Sequence, residues 1–131
     1  MKRVDISGNN SRFAKGYSYS STLLFDMCDE FLFSGNTATN SGAFFYDSDS
    51  SHIIFRDCGA VSFNNNTYTH CLFVCPSVSF ENNQNVSFSG NTVSSGKLIG
   101  ENKIEFTGID GTYAISSNKV SSLDGMINAA F

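Results

Sequence analysis

A chain of 131 residues has room for one domain. Its 40% apolar residues supply a core rich in rings, with 13 Phe, no Trp and a single Pro. Charged residues make up only 15% and sum to a net −4, which excludes the clustered Lys and Arg that a nucleic-acid partner requires. No apolar stretch approaches the ~20 residues of a membrane span. The basic start MKRVDISGNN is not followed by the apolar segment of a signal peptide, so no export signal is expected in this sequence.

In chain order, Val4-Asp5-Ile6-Ser7-Gly8-Asn9 is a short strand closing into a polar turn, and Gly16–Ser20 is expected as a further strand. A first full unit runs Thr22–Phe25, Phe31–Phe33 and Gly42–Tyr46. The second runs His52–Phe55, Val61–Phe63 and Cys71–Cys75, and the third Val78–Phe80, Val86–Phe88 and Gly96–Ile99. A fourth begins at Ile104–Phe106 and continues through Thr112–Ile115 to Met126–Ala129 as its third strand. Phe25 and Phe33, Phe55 and Phe63, and Phe80 and Phe88 are each eight apart, and the pairs recur every 25 to 30 residues. Repetition of this kind predicts an all-β chain. It reads as a single right-handed parallel β-helix segment over residues 1–131, with four to five rungs and three short strands per rung.

Strands this short cannot bury a face alone, but coiling stacks each on its equivalent ~4.8 Å away. The alternation in VSF and FLF turns the Phe inward. Phe25, Phe55 and Phe80 are expected to form one interior stack and Phe33, Phe63 and Phe88 the other, each ring worth about 2–3 kcal/mol. Asn36, Asn66, Asn83 and Asn91 each follow a Phe by three residues. Asn tolerates left-handed turns and its amide can bond to the next rung, so these four are expected to form corner ladders.

Cys28 and Cys58 stand three residues after Phe25 and Phe55, where the third unit has Asn83. The two should be neighbours in adjacent rungs, as buried thiols or as a disulfide. A metal is the weakest alternative for four Cys without a CxxC pair, beside only His52 and His70. No cofactor is expected.

The stretch FSGNTATNSGAFFY, Phe33 to Tyr46, resembles the repeat of the chlamydial polymorphic membrane proteins, whose passenger domains carry many copies of FxxN and of GGA followed by an aliphatic residue. FxxN stands at Phe33–Asn36, Phe63–Asn66, Phe80–Asn83 and Phe88–Asn91. GGA is matched once, with Ser41 for its first Gly and Phe44 for the aliphatic residue, and Cys28 and Cys58 replace Asn at two corners. The resemblance covers most of residues 4–106. It implies part of a longer autotransporter passenger, displayed at the cell surface or outer membrane or secreted, and adhesive or antigenic in function.

On that reading the partner is a host-surface protein or glycan. The recognition loops are expected at Asp47 and Asp49 in DSDSS and at Asn65, Tyr68 and His70 in NNNTYTH, with Tyr68 as an exposed anchor. The alternative is a structural spacer that self-associates through open solenoid ends. β-Helices also host polysaccharide-active enzymes, for which the available carboxylates are Asp26, Asp29, Glu30, Asp47, Asp49 and Asp57. Asp26 aligns with Arg56 and reads more simply as a cross-rung ion pair. Sequons fall at Asn9, Asn65 and Asn85.

Overall fold

The computed structural model describes residues 3–8, 13–14, 22–38, 43–46, 52–74, 77–94, 97–100, 103–108, 112–119 and 126–129. These residues hold strands and turns, with no helix among them. The strands are β1 (Arg3–Ser7), β2 (Phe13–Ala14), β3 (Thr22–Asp26), β4 (Glu30–Ser34), β5 (Thr37–Ala38) and β6 (Ala43–Tyr46). They continue with β7 (His52–Arg56), β8 (Ala60–Asn64), β9 (Thr67–Tyr68), β10 (Cys71–Val74) and β11 (Ser77–Glu81). The last are β12 (Asn85–Ser89), β13 (Thr92–Val93), β14 (Lys103–Thr107), β15 (Thr112–Ser116) and β16 (Met126–Ala129).

Every pairing is parallel, and the strands assort into four sheets. Sheet I has the order β16-β14-β11-β7-β3 and sheet II the order β1-β4-β8-β12-β15. The narrow sheet III is β13-β9-β5, and sheet IV is β10-β6-β2. From β3 to β13 the chain visits I, II, III and IV in the same order on each pass. Gly100 bridges to Phe73 on sheet IV, and Lys119 bridges to Thr92 on sheet III, so the next pass keeps the order.

Pairing holds every repeat in one register, because a slip of one residue would turn the Phe out to solvent. Phe25, Phe55, Phe80 and Phe106 are partners in sheet I; Ile6, Phe33, Phe63, Phe88 and Ile115 are partners in sheet II. Rings in the first column lie nearly parallel, with centroids 5.0, 5.0 and 4.9 Å apart. In the second column Phe63 and Phe88 stack at 5.2 Å, while Phe33 and Phe63 are tilted by 44° at 5.7 Å. The columns meet edge to face, as Phe55 does with Phe63 at 5.8 Å. Parallel offset contact within a column and edge contact between columns are the two arrangements the ring quadrupole favours.

Two sequence expectations are corrected: that a pass has three strands, and that Met126–Ala129 is the third strand of the fourth unit. Thr37–Ala38 and the equivalent residues 67–68 and 92–93 are two-residue strands, so a pass has a short strand beyond the three expected. Met126–Ala129 pairs with β14 in sheet I; it opens a new pass rather than closing the fourth. Its apolar composition suits either place, and only the pairing separates them. Residues 16–20 lie outside the described residues, and the strand that pairs with β6 near that end of the chain is Phe13–Ala14.

Candidate functional site

Chemistry in this molecule concentrates at the corners that follow sheets I and II. Two residues after each inward Phe or Ile, the backbone turns through the left-handed region. After sheet I the turning residues are Met27, Asp57, Asn82 and Gly108; after sheet II they are Gly8, Gly35, Asn65, Gly90 and Ser117. At Gly90 the requirement is double, since φ is +67° and a Cβ there would run into the side-chain amide of Asn65.

The next residue turns back inside. Asn36, Asn66 and Asn91 are fully buried and stacked across successive passes, with Asn118 half-buried at the end of the column. Asn66 Oδ1 accepts from Asn36 N at 3.0 Å and from Asn36 Nδ2 at 3.2 Å. Asn91 Oδ1 accepts likewise from Asn66 N and Nδ2, and Asn118 Oδ1 from Asn91 N and Nδ2. Each Nδ2 also donates the other way, to Ile6 O, Phe33 O, Phe63 O and Phe88 O in turn, at 2.9–3.1 Å. A buried carboxamide with all its bonds made is what low dielectric demands, because an orphaned turn group inside would cost ~1–3 kcal/mol.

Asn83 stands in the other corner column, above Cys58 and Cys28. Its Oδ1 accepts from Cys58 N at 2.9 Å and its Nδ2 donates to Phe55 O at 3.0 Å. One pass earlier the Cys58 thiol takes the part of that amide, donating to Phe25 O at 3.5 Å and sharing with Arg56 O at 3.4 Å. Cys28 and Cys58 are adjacent, buried and unbridged. Burial pushes the Cys58 thiol up to about 11. Cys71 is also buried, its thiol directed at Phe73 O at 3.3 Å. Cys75 lies outside the described residues.

Tyr68, expected as the exposed anchor of a recognition loop, is instead wholly buried in β9. Its hydroxyl donates to the Leu98 carbonyl at 2.5 Å, and burial raises its pKa. The signal was present in the sequence: Asn36-Thr37-Ala38, Asn66-Thr67-Tyr68 and Asn91-Thr92-Val93 repeat one phrase, and its third residue always points inward. Asn65 is exposed, but it is a turning residue whose N–H donates to Ser89 O at 2.9 Å. His70 is half-buried and its carbonyl accepts from Lys97 N at 2.7 Å. Asp47 and Asp49 lie outside the described residues.

Asp5, Asp26 and Glu30 on the outer faces form ion pairs. Arg56 grips Asp26 across two passes with Nε–Oδ1 at 3.3 Å and Nη2–Oδ2 at 3.1 Å. Arg3 joins Glu30 at 2.5 Å and Asp5 at 3.3 Å. Asp57 is a turning residue, and Asp29 uses its carbonyl to receive Ala60 N. Among the described residues no three His, Cys, Asp or Glu side chains come together as a metal site, and no helix is long and apolar enough to cross a membrane. On sheet II the charged outward residues Arg3, Asp5 and Glu30 lie on β1 and β4, whereas over β8 and β12 the outward wall is uncharged and polar: the Ser87 and Ser89 hydroxyls both reach Asn64 Oδ1, at 3.4 and 2.9 Å.

Sequence reasoning missed Asn118, because Ile115 holds the place of the Phe in Ile115-Ser116-Ser117-Asn118. No family model, curated protein or solved structure matches this chain.

Proposed function

We propose that the four parallel sheets are the walls of a right-handed β-helix of four to five turns, and that the chain is a non-catalytic segment of a surface-displayed passenger, acting in adhesion. The observation that carries the reading is the Asn36–Asn66–Asn91–Asn118 column, one carboxamide per pass behind an inward Phe or Ile. It gives FxxN a physical meaning: the Phe fills the core, a left-handed residue turns the chain, and the Asn closes the corner. Right-handed coiling follows from the preference of parallel crossovers. With Tyr68 inside, the face that fits a host glycan or protein is the part of the outer wall of sheet II over β8 and β12, where Ser62, Asn64, Ser87 and Ser89 offer hydroxyl and amide groups without charge among them. Localisation at a cell surface or outer membrane, within a longer parent protein, belongs to the same proposal.

The test is binding of the purified chain to cultured host cells and to a glycan array, beside a Ser87→Lys, Ser89→Lys double variant. Saturable binding that the variant loses supports adhesion; absence of binding by the folded chain removes it.

A second reading, a structural spacer with no ligand, is favoured by one observation. The large apolar side chains exposed among the described residues are Leu24, Met27 and Ile115, none of them the aromatic anchor that recognition surfaces favour.

A further inference from the structure

At the corners after sheets I and II, the residue following the left-handed turn is Asn36, Asn66, Asn83, Asn91 or Asn118, but in two places it is Cys28 or Cys58. Among the described residues these two departures from Asn are the same residue, and they are neighbours in one column. Wherever an Asn stands above, its Oδ1 accepts from the corner N–H below, at 2.9–3.0 Å. The step from Cys28 to Cys58 has no carboxamide to do this. The Cys58 thiol reaches Phe25 O at 3.5 Å, which replaces only the part that Nδ2 plays elsewhere.

The backbone brings the two sulfurs together. Asp26 pairs with Arg56 on the sheet I side and Glu30 with Ala60 on the sheet II side, so Cys28 and Cys58, midway between, are held in register from both directions. Within the corner, Met27 N donates to Arg56 O at 2.9 Å and Gly59 N to Cys28 O at 2.8 Å. Gly59 permits this approach, because a Cβ there would stand 2.6 Å from Asp29 O. Adjacent parallel strands lie ~4.8 Å apart, inside the ~4.4–6.8 Å that separates the Cα atoms of a disulfide. Both side chains are turned inside, and they are within hydrogen-bonding reach of each other. The other described cysteine, Cys71, lies on sheet IV with its thiol directed at Phe73 O.

We propose that Cys28 and Cys58 are a redox pair, which a low-molecular-weight disulfide oxidises to a covalent tie between successive passes at the corner step that no carboxamide holds. One thiol gives up its proton and attacks the disulfide R–S–S–R, forming a mixed disulfide and releasing R–S⁻. The second thiol, deprotonated in turn, attacks the cysteine sulfur of that mixed disulfide and releases the second R–S⁻. Two electrons pass to the oxidant, and the two protons go to the two released thiolates. The bond closes a loop of one whole pass, so it limits the unfolded chain more than the folded one. Where the surroundings keep thiols reduced, hydrogen bonds alone hold this step; where they oxidise, a covalent bond does. The pairing holds whether or not the chain is adhesive, since it needs only the register.

The experiment equilibrates the full chain with graded mixtures of reduced and oxidised glutathione, once folded and once in denaturing urea, and maps bridged and alkylated cysteines by peptide mass spectrometry. Expected is a Cys28–Cys58 bridge that, in the folded chain, withstands a glutathione mixture roughly 100-fold more reducing than the same bridge withstands in urea. Cys71 should be alkylated throughout. By linkage, the oxidised chain then unfolds at higher urea than the reduced one. Cys71→Ser should keep that difference and Cys58→Ser abolish it, each variant being checked by circular dichroism. A bridge that forms no more readily in the folded chain than in urea, another partner for Cys28 or Cys58, or a urea midpoint that reductant does not move would overturn the proposal. If Cys58→Ser fails to fold, the comparison of the folded native chain with the same chain in urea decides by itself.

Discussion

Asn66 and Asn36 are 30 residues apart in sequence, yet the Oδ1 of the first receives both the backbone N–H and the amide of the second. Asn66→Ala strands those two donors and the Phe33 carbonyl in a dry corner, and should cost about 2–4 kcal/mol in denaturant unfolding. Asn118→Ala, at the half-exposed end of the column, should cost less, because water can replace the lost amide. Asn66→Asp offers the sharper control. Its carboxyl faces burial and the acceptor Phe33 O, so its folded pKa lies above the ~3.9 of the unfolded chain. The penalty from its charge is then absent below pH ~4 and grows as pH rises through the folded pKa. An Asp variant equally destabilised at both ends of that range would contradict the ladder's account of stability.

Met27 holds a left-handed backbone at φ 56° with its side chain 63% exposed, and at the equivalent corner Gly108 does so without strain. A left-handed L-residue costs about 1–2 kcal/mol, of which glycine's freedom in the unfolded chain returns part. Met27→Gly should therefore stabilise the chain by about 0.5–1 kcal/mol. Met27→Val, β-branched at the same φ, should do the opposite. Paired thermal melts of the two variants read both signs at once.

Much of this architecture was legible because the repeat encodes it twice, as Phe for the core and as Asn three residues later for the corner. The Asp26–Arg56 pairing followed from the same alignment. The two-residue strands were hidden, since a strand of two residues has no alternation to reveal it; only the recurrence of Asn-Thr-apolar marks them. Asn118 was hidden behind Ile115, an aliphatic substitute at the place of the Phe. Tyr68 was misread because its neighbours in NNNTYTH are polar, whereas its direction is set by its distance from Asn66.

Tyr68 carries a polar atom into the core, and the Leu98 carbonyl answers it. Tyr68→Phe keeps the ring and removes the donor, so that carbonyl is left dry and stability should fall by about 1–2 kcal/mol. If Tyr68 were an exposed anchor, the same substitution would leave stability unchanged and weaken only ligand binding. Unfolding midpoints of the two chains in urea decide between these outcomes.

Cys58 gives the chain an alkaline limit. In the fold its thiol is pushed up to about 11 from an ordinary 9.0, so the folded chain keeps this proton to higher pH than the unfolded chain does. The associated stability is fully present below pH 9 and is lost as pH rises through about 11. Thermal midpoints should hold level from neutral pH to about 9 and then decline. Cys58→Ser preserves a donor toward Phe25 O but does not titrate in this range, so the decline should shrink. It should not vanish, because Tyr68 is raised by burial as well and sheds stability in the same direction at still higher pH. Identical alkaline profiles for the native and Cys58→Ser chains would show that the thiol is not the titrating group, and alkylation of the native chain at pH 8 should leave Cys58 unmodified until it unfolds.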